Sequence, residues 1–213
     1  MENSSRSAQH QATMEARRAD LRAQFARILQ ERANFVWEVG CGHGHFLTAY
    51  AQKHPDDLCI GIDITADRIE RANRKRDRAR LTNLHFLRAE ARIFLETLPP
   101  DAVFSSIYIL FPDPWPKLRH HKNRIMQSDF LEAVARRAGE DAHLYFRTDF
   151  LPYFEAAGGV LRDHTDWLLV DEPWQFEHET VFQARAKHYS SLVAAPRHHK
   201  QSAWPTSQKK HHG

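Results

Sequence analysis

Cysteine is scarce in this 213-residue chain: Cys41 and Cys59 are its two copies, too few for the disulfide framework of a secreted scaffold. Long apolar runs are missing as well, so no segment is expected to span a bilayer and no membrane partner is expected. The N-terminal residues are polar and helix-forming without the apolar segment of a signal peptide, and a cytoplasmic protein is expected. Fifteen histidines are present, but they are scattered, and neither HExxH nor CxxC spacing occurs; no metal is expected. Acids are absent from two stretches. One runs from Lys117 to Arg124; the other runs from Ala184 to Gly213 and carries Arg185, Lys187, Arg197, Lys200, Lys209 and Lys210. Between Glu140 and Glu179 the balance reverses, with Arg147 and Arg162 among many acids. The formal net charge of +3 therefore conceals a segregated surface, which suits a polyanionic partner because clustered cations release counterions when they meet phosphates. A solubilising tail explains the C-terminal run equally well, since large apolar residues and periodicity are lacking there.

What is present reads as one α/β domain long enough to bury a core without staples. The expected boundaries are a mobile N-terminus over 1–12, a single domain over 13–190 and a basic, disordered tail over 191–213. Leu21, Phe25, Ile28 and Leu29 recur at helical spacing within Thr13 to Arg32. Apolar strands are expected at Phe35–Val39, Leu58–Ile62, Leu84–Leu87, Val103–Leu110, His143–Phe146 and Trp167–Val170, with another over Thr180–Ala186.

Several of these strands end in the same way, with an acid where an open parallel sheet binds ligands. Glu38 precedes Gly40, Cys41, Gly42, His43 and Gly44. The spacing is GxGxG rather than the GxGxxG of dinucleotide binding, and an acid before it would repel a diphosphate. It suits a ligand bearing an amine and a sulfonium, S-adenosyl-L-methionine; a glycine-rich turn with a solvated Glu38 is the alternative. Asp63, at the tip of the second strand, is placed to accept from ribose hydroxyls, and Glu90, between two alanines, to reach an adenine amino group. The helix from about Ala66 to Ala79 carries many arginines and reads as a solvated outer face. The fourth strand runs into Phe111-Pro112-Asp113-Pro114-Trp115, where two prolines end regular structure and hold one carboxylate beside a basic arm. Taken alone, that stretch also fits a proline-stiffened loop with solvated charge. Asp149 either lines the same edge or, with Thr148, caps the next helix.

EVGCGHGHF, IGID, FPDPWPKLRHHKNR, RTD and a late TxF together resemble the bacterial tRNA (guanine-N7-)-methyltransferase family over roughly residues 33 to 187. The resemblance implies a Rossmann-like class I methyltransferase fold, a seven-stranded mostly parallel sheet with an antiparallel last hairpin and helices on both faces. It implies S-adenosyl-L-methionine as cofactor and guanine N7 of the tRNA variable loop as substrate. Carried over by position, Glu38, Gly40, Gly42, Gly44, Asp63, Glu90 and Asp113 would meet the cofactor, and Asp113 would also be the catalytic acid. Lys117, Asp149, Thr180, Val181, Phe182 and Gln183 would meet the substrate, and Arg119, His120, His121, Lys122, Asn123 and Arg124 would touch RNA. Assembly beyond a monomer or weak dimer is not implied. Two departures stand out: Glu90 replaces the family's usual Asp, and TVFQAR replaces TKFERR. Gln183 offers one carbonyl where a carboxylate would accept from guanine N1 and N2. This departure keeps two other functions open, a cofactor-binding RNA-binding protein with weak or no activity and a methyltransferase with another substrate.

Overall fold

Alternation along the strands sorts the apolar side chains onto two faces of one sheet. In the computed structural model, which describes residues 2–30, 33–178, 183–184 and 186–197 (with backbone alone for 2–8 and 10), that sheet has seven strands. They are β1 (Asn34–Val39), β2 (Cys59–Asp63), β3 (Leu84–Arg88), β4 (Val103–Leu110), β5 (Ala138–Thr148), β6 (Trp167–Val170) and β7 (Ser190–Pro196), in the order β3-β2-β1-β4-β5-β7-β6. β3, β2, β1, β4 and β5 are parallel, and β7 runs antiparallel to both β5 and β6. The strand order reverses between β1 and β4, and the carboxyl ends of adjacent strands diverge there into a crevice suited to a ligand.

The helices α1 (Glu2–Ile28), α2 (His45–Lys53), α3 (Ala66–Arg78), α4 (Ala91–Thr97), α5 (Ser128–Ala135) and α6 (Leu151–Arg162) connect and cover the strands. On one face Trp37 of β1 stacks between Phe94 and Phe104, with centroids 4.9 and 4.8 Å away and planes nearly parallel. Phe25 of α1 meets Phe94 edge-on at 5.1 Å, so the apolar stripe of α1 closes onto α4, as Leu21 and Phe25 predict. On the other face Val36, Phe46, Leu47, Ile69, Ala72 and Phe86 pack α2 and α3 against β1–β3. α2 reaches β4 on that face through Phe46 and Tyr50, 4.7 and 5.9 Å from Tyr108, and Trp174 and Phe176 cover the face over β4 and β5, resting on the rings of Tyr50, Tyr108 and Tyr145.

Three boundaries differ from expectation. α1 begins at Glu2 rather than Thr13. The tail expected from 191 onward supplies β7, an inner strand in which Val193 faces one core while Leu192 and Ala194 face the other. The short alternation Leu-Val-Ala is enough for a strand that is paired on both edges. The strand expected over 180–186 is not seen: residues 183–184 are helical, and 179–182 and 185 lie outside the described residues. Residues 198–213 also lie outside them.

Candidate active site

The reversal of strand order sets Glu38, the glycine loop, Asp63 and the Pro112–Pro116 turn at one end of the sheet. Glu38 sits in β1 opposite Gly61 of β2 and Tyr108 of β4. Its side chain is 4% exposed. It receives the backbone N–H of Leu47, in the first turn of α2, while Oε2 has no hydrogen-bond partner among the described residues. Burial, reinforced by the negative charge of Asp63, pushes its pKa up to about 8 against the pull of Leu47 and Lys75. A carboxyl group this deep with a free oxygen is poised to ionise when a cation arrives, since charge is otherwise disfavoured there.

The three loop glycines all adopt positive φ, but they divide by surroundings. A Cβ built on Gly40 or Gly42 meets nothing within 4 Å, so both border open space; one on Gly44 would lie 2.4 Å from the ring of Phe86. Gly44 is buried, and it lets the start of α2 close against β3 and α3, the close-approach use of glycine.

Asp63 is buried and already accepts the backbone N–H groups of Gly42 (3.2 Å) and Thr65 (2.8 Å). Nη1 of Arg68 lies 3.4 Å from it. About four lone-pair positions exist on a carboxylate, which leaves room for a hydroxyl beside the two amides. Glu90 is exposed, and its Oε2 caps α4 by accepting from Arg92 N (3.0 Å) and Ile93 N (3.1 Å). Its second oxygen stays clear of the cap. The buried acid, the open glycine loop and the ribose-height carboxylate together fit a ligand with a cationic end and a nucleoside hydroxyl pair.

Asp113 is exposed on a turn bracketed by Phe111 (φ 49°) and Trp115 (φ 42°). Left-handed backbone at bulky residues is strained by roughly 1–2 kcal/mol each and survives where neighbours hold it. Phe111 N donates to the Arg147 carbonyl (2.8 Å), extending the β4–β5 ladder past Leu110. On the far side Arg124 is the fastener. It is 4% exposed, donates from Nε to the Pro114 carbonyl at 2.9 Å and lies 4.8 Å over the ring of Tyr153. Arg124 was expected to touch RNA; its burial beneath the turn makes it a support of Asp113 instead. The remainder of the arm forms a 3-10 helix, Leu118–Asn123. In it Arg119, Lys122 and Asn123 are exposed, His120 and His121 are half-buried, and Lys117 is exposed just before it. Asp149 is exposed, and neither it nor Thr148 caps α6, whose N-cap is Phe150 with no side-chain cap bond; Thr148 Oγ1 accepts from Phe150 N at 3.2 Å in the turn before the helix.

A cluster centred on Arg147 was not foreseen, although it lies in the RTD stretch. Its guanidinium is buried and bidentate on Glu177 (2.7 and 2.9 Å), donates to Ser191 Oγ at 2.9 Å and sits 4.1 Å from Trp174 and 4.7 Å from Tyr189. Arg147 holds Glu177 below the usual carboxylate range. Gln183 belongs to the same cluster: its Oε1 accepts from Arg147 (3.2 Å), and its Nε2 donates to Tyr189 (3.1 Å). Its carbonyl is thus directed at Arg147, contrary to the expected contact with a base. Thr180, Val181 and Phe182 lie outside the described residues. The sequence signal was an arginine inside an otherwise apolar strand, followed by the aromatic-and-acid run 172–178. Among the described residues no group of His, Cys, Asp or Glu is placed to hold a metal ion, and no helix is long and apolar enough to cross a membrane.

A family model described as a putative methyltransferase matches residues 32–200. Among curated relatives, a tRNA (guanine-N(7)-)-methyltransferase of Syntrophotalea carbinolica is 35% identical over 63% of this chain and 58% of its own length. One of Alkalilimnicola ehrlichii is 32% identical over 75% of this chain and 69% of its own length. The chain spans somewhat more than half the length of the first curated relatives it matches. A solved precorrin-6y C5,15-methyltransferase from Geobacter metallireducens GS-15 superposes with a TM-score of 0.53 at 14% identity, over 84% of this chain and 85% of that one. At that identity the likeness shows the fold, a class I methyltransferase sheet.

Proposed function

The chain belongs to the tRNA (guanine-N7-)-methyltransferase family, and from that premise we propose that it methylates guanine N7 in the tRNA variable loop using S-adenosyl-L-methionine, in the cytoplasm. The observation that carries the cofactor reading is the buried, half-partnered Glu38 behind the open space at Gly40 and Gly42. When bound, S-adenosyl-L-methionine supplies an electrophilic methyl group on a sulfonium. Glu38 ionises toward the ligand's positive end, Asp63 accepts from the ribose hydroxyls, and the free oxygen of Glu90 accepts from the adenine amino group.

Guanine N7 carries a free lone pair at neutral pH, so no proton has to be removed before attack. Alignment alone can lower the barrier by several kcal/mol. The strained turn gives Asp113 a fixed position, and its charge offsets the positive charge that grows on the base. Lys117 and Asp149 flank the substrate from the ends of β4 and β5, while Arg119, His120, His121, Lys122 and Asn123 face the phosphates. Arg147, with Glu177 and Gln183, holds the covering segment over the same edge. Incubation of the protein with unmodified tRNA and S-adenosyl-L-methionine, followed by nucleoside mass spectrometry, should yield 7-methylguanosine. The Gln183–Arg147 bond supports a second reading, an RNA-binding protein with weak activity. Bound tRNA and cofactor without methylated nucleoside would establish that reading, and a methyl group on another base would overturn the first.

A further inference from the structure

A cleft of about 380 Å³ opens between the glycine loop and α3, lined by His43, His45, Arg71, Arg74, Lys75 and Arg78. Each lining residue is basic. Helical spacing produces the wall: positions 71, 74, 75 and 78 follow i, i+3, i+4 and i+7 and share one side of α3. Lys75 fastens that wall to the loop by donating to the His43 carbonyl at 3.0 Å. Like charges are crowded here. Burial and the charge of Arg78 push the Lys75 pKa down against the upward pull of Glu38. Burial, then Lys75 and His43, push that of His45 down. Arg71 and Arg74 lie near Asp67 and Glu70 at 3.1 and 3.4 Å with side chains 57% and 55% exposed. Such exposed pairs contribute about 0.2–1 kcal/mol and exchange readily for a phosphate.

We propose that this cleft is a second RNA-docking surface, seating phosphate backbone apart from the arm that follows β4. The proposal rests on the RNA-substrate reading above. In the sheet β1 lies between β2, which leads into α3, and β4, which leads into the arm. The two cationic surfaces therefore flank the glycine loop on opposite halves of the sheet, and one polynucleotide held by both would straddle the methyl-transfer edge. From Arg71 to Arg78 the helix rises about 10 Å, enough for a few consecutive phosphates. The cleft is open to solvent, which suits a strand better than a single enclosed anion.

The test uses the full chain with Arg71→Ala, Arg74→Ala and Arg78→Ala combined, and a second variant with lysine at the same three positions. Binding of unmodified tRNA is followed over a salt series, with S-adenosyl-L-methionine affinity measured by calorimetry. The alanine variant should lose about two units of the log–log salt slope, at about 0.7 per phosphate contact on a single strand, with cofactor affinity unchanged, and the lysine variant should recover the slope. An unaltered slope in the alanine variant overturns the proposal and leaves the methyltransferase reading intact. So does a loss that lysines fail to restore, because charge would then not be the cause. Wild-type protein that binds tRNA without methylating it would defeat the enzymatic reading while the slope comparison still decides the cleft. No tRNA binding at all would defeat both.

Discussion

Glu38 ties the cofactor reading to a measurable proton. Its folded pKa of about 8 lies above the ordinary 4.5, so between those values the folded protein binds more protons than the unfolded chain. The contribution of Glu38 to the stability of the ligand-free protein is then greatest below pH 4.5 and is lost as pH rises toward 8. Glu38→Gln should flatten that decline and raise ligand-free stability at pH 8 by on the order of 4 kcal/mol, read from urea midpoints across pH. The same substitution should weaken S-adenosyl-L-methionine binding and abolish the proton released on binding, which calorimetry in two buffers of different ionisation enthalpy detects. If the stability difference between Glu38→Gln and wild type does not grow toward pH 8, Glu38 does not hold its proton. The acids at strand ends were legible because a strand followed by an acid is a local pattern. The burial of Arg124 was not, because its partner Tyr153 comes from α6, and a basic residue in a basic run gives no local sign of being covered. Nor could the run of glycines reveal that Gly44 is governed by Phe86, two strands away in the sheet.

At the level of elements, the parallel strands and their helices followed from apolar runs and periodicity, whereas the cover over β4 and β5 did not. Residues 171–178 have neither helical nor strand spacing. Their position is set by Arg147 and the tyrosine rings beneath, which only the folded sheet brings together. The bidentate Arg147–Glu177 pair should therefore be the clasp of that cover. Glu177→Ala leaves a buried guanidinium without its carboxylate and should destabilise the protein by about 1–3 kcal/mol, allowing for solvent at the half-exposed glutamate. Hydrogen exchange should show the loss concentrated in 171–178. If the exchange rates of that segment are unchanged, other contacts hold the cover. β7 was missed for a related reason: a strand paired on both edges needs little side-chain hydrophobicity, so its composition resembled a tail.

For the molecule as a whole, charge segregation was visible from the outset, but which cations face solvent was not. Lys117→Ala, Arg119→Ala and Lys122→Ala together should reduce the tRNA salt slope by about two units, with thermal stability retained because all three are exposed. A salt titration matching wild type would remove the arm from the interface. The topology carries a further consequence for biosynthesis. β7, the last of the described strands in chain order, lies between β5 and β6, so this sheet cannot be completed in the order in which the ribosome makes its strands. While 190–196 remain in the exit tunnel, β5 has an open edge, β6 has no neighbour, and Ser191 is not yet beside Arg147. None of β3, β2, β1 and β4 is hydrogen-bonded to that strand. The strand pairing around the site proposed for the methyl donor can thus precede, on a nascent chain, that of the proposed acceptor side.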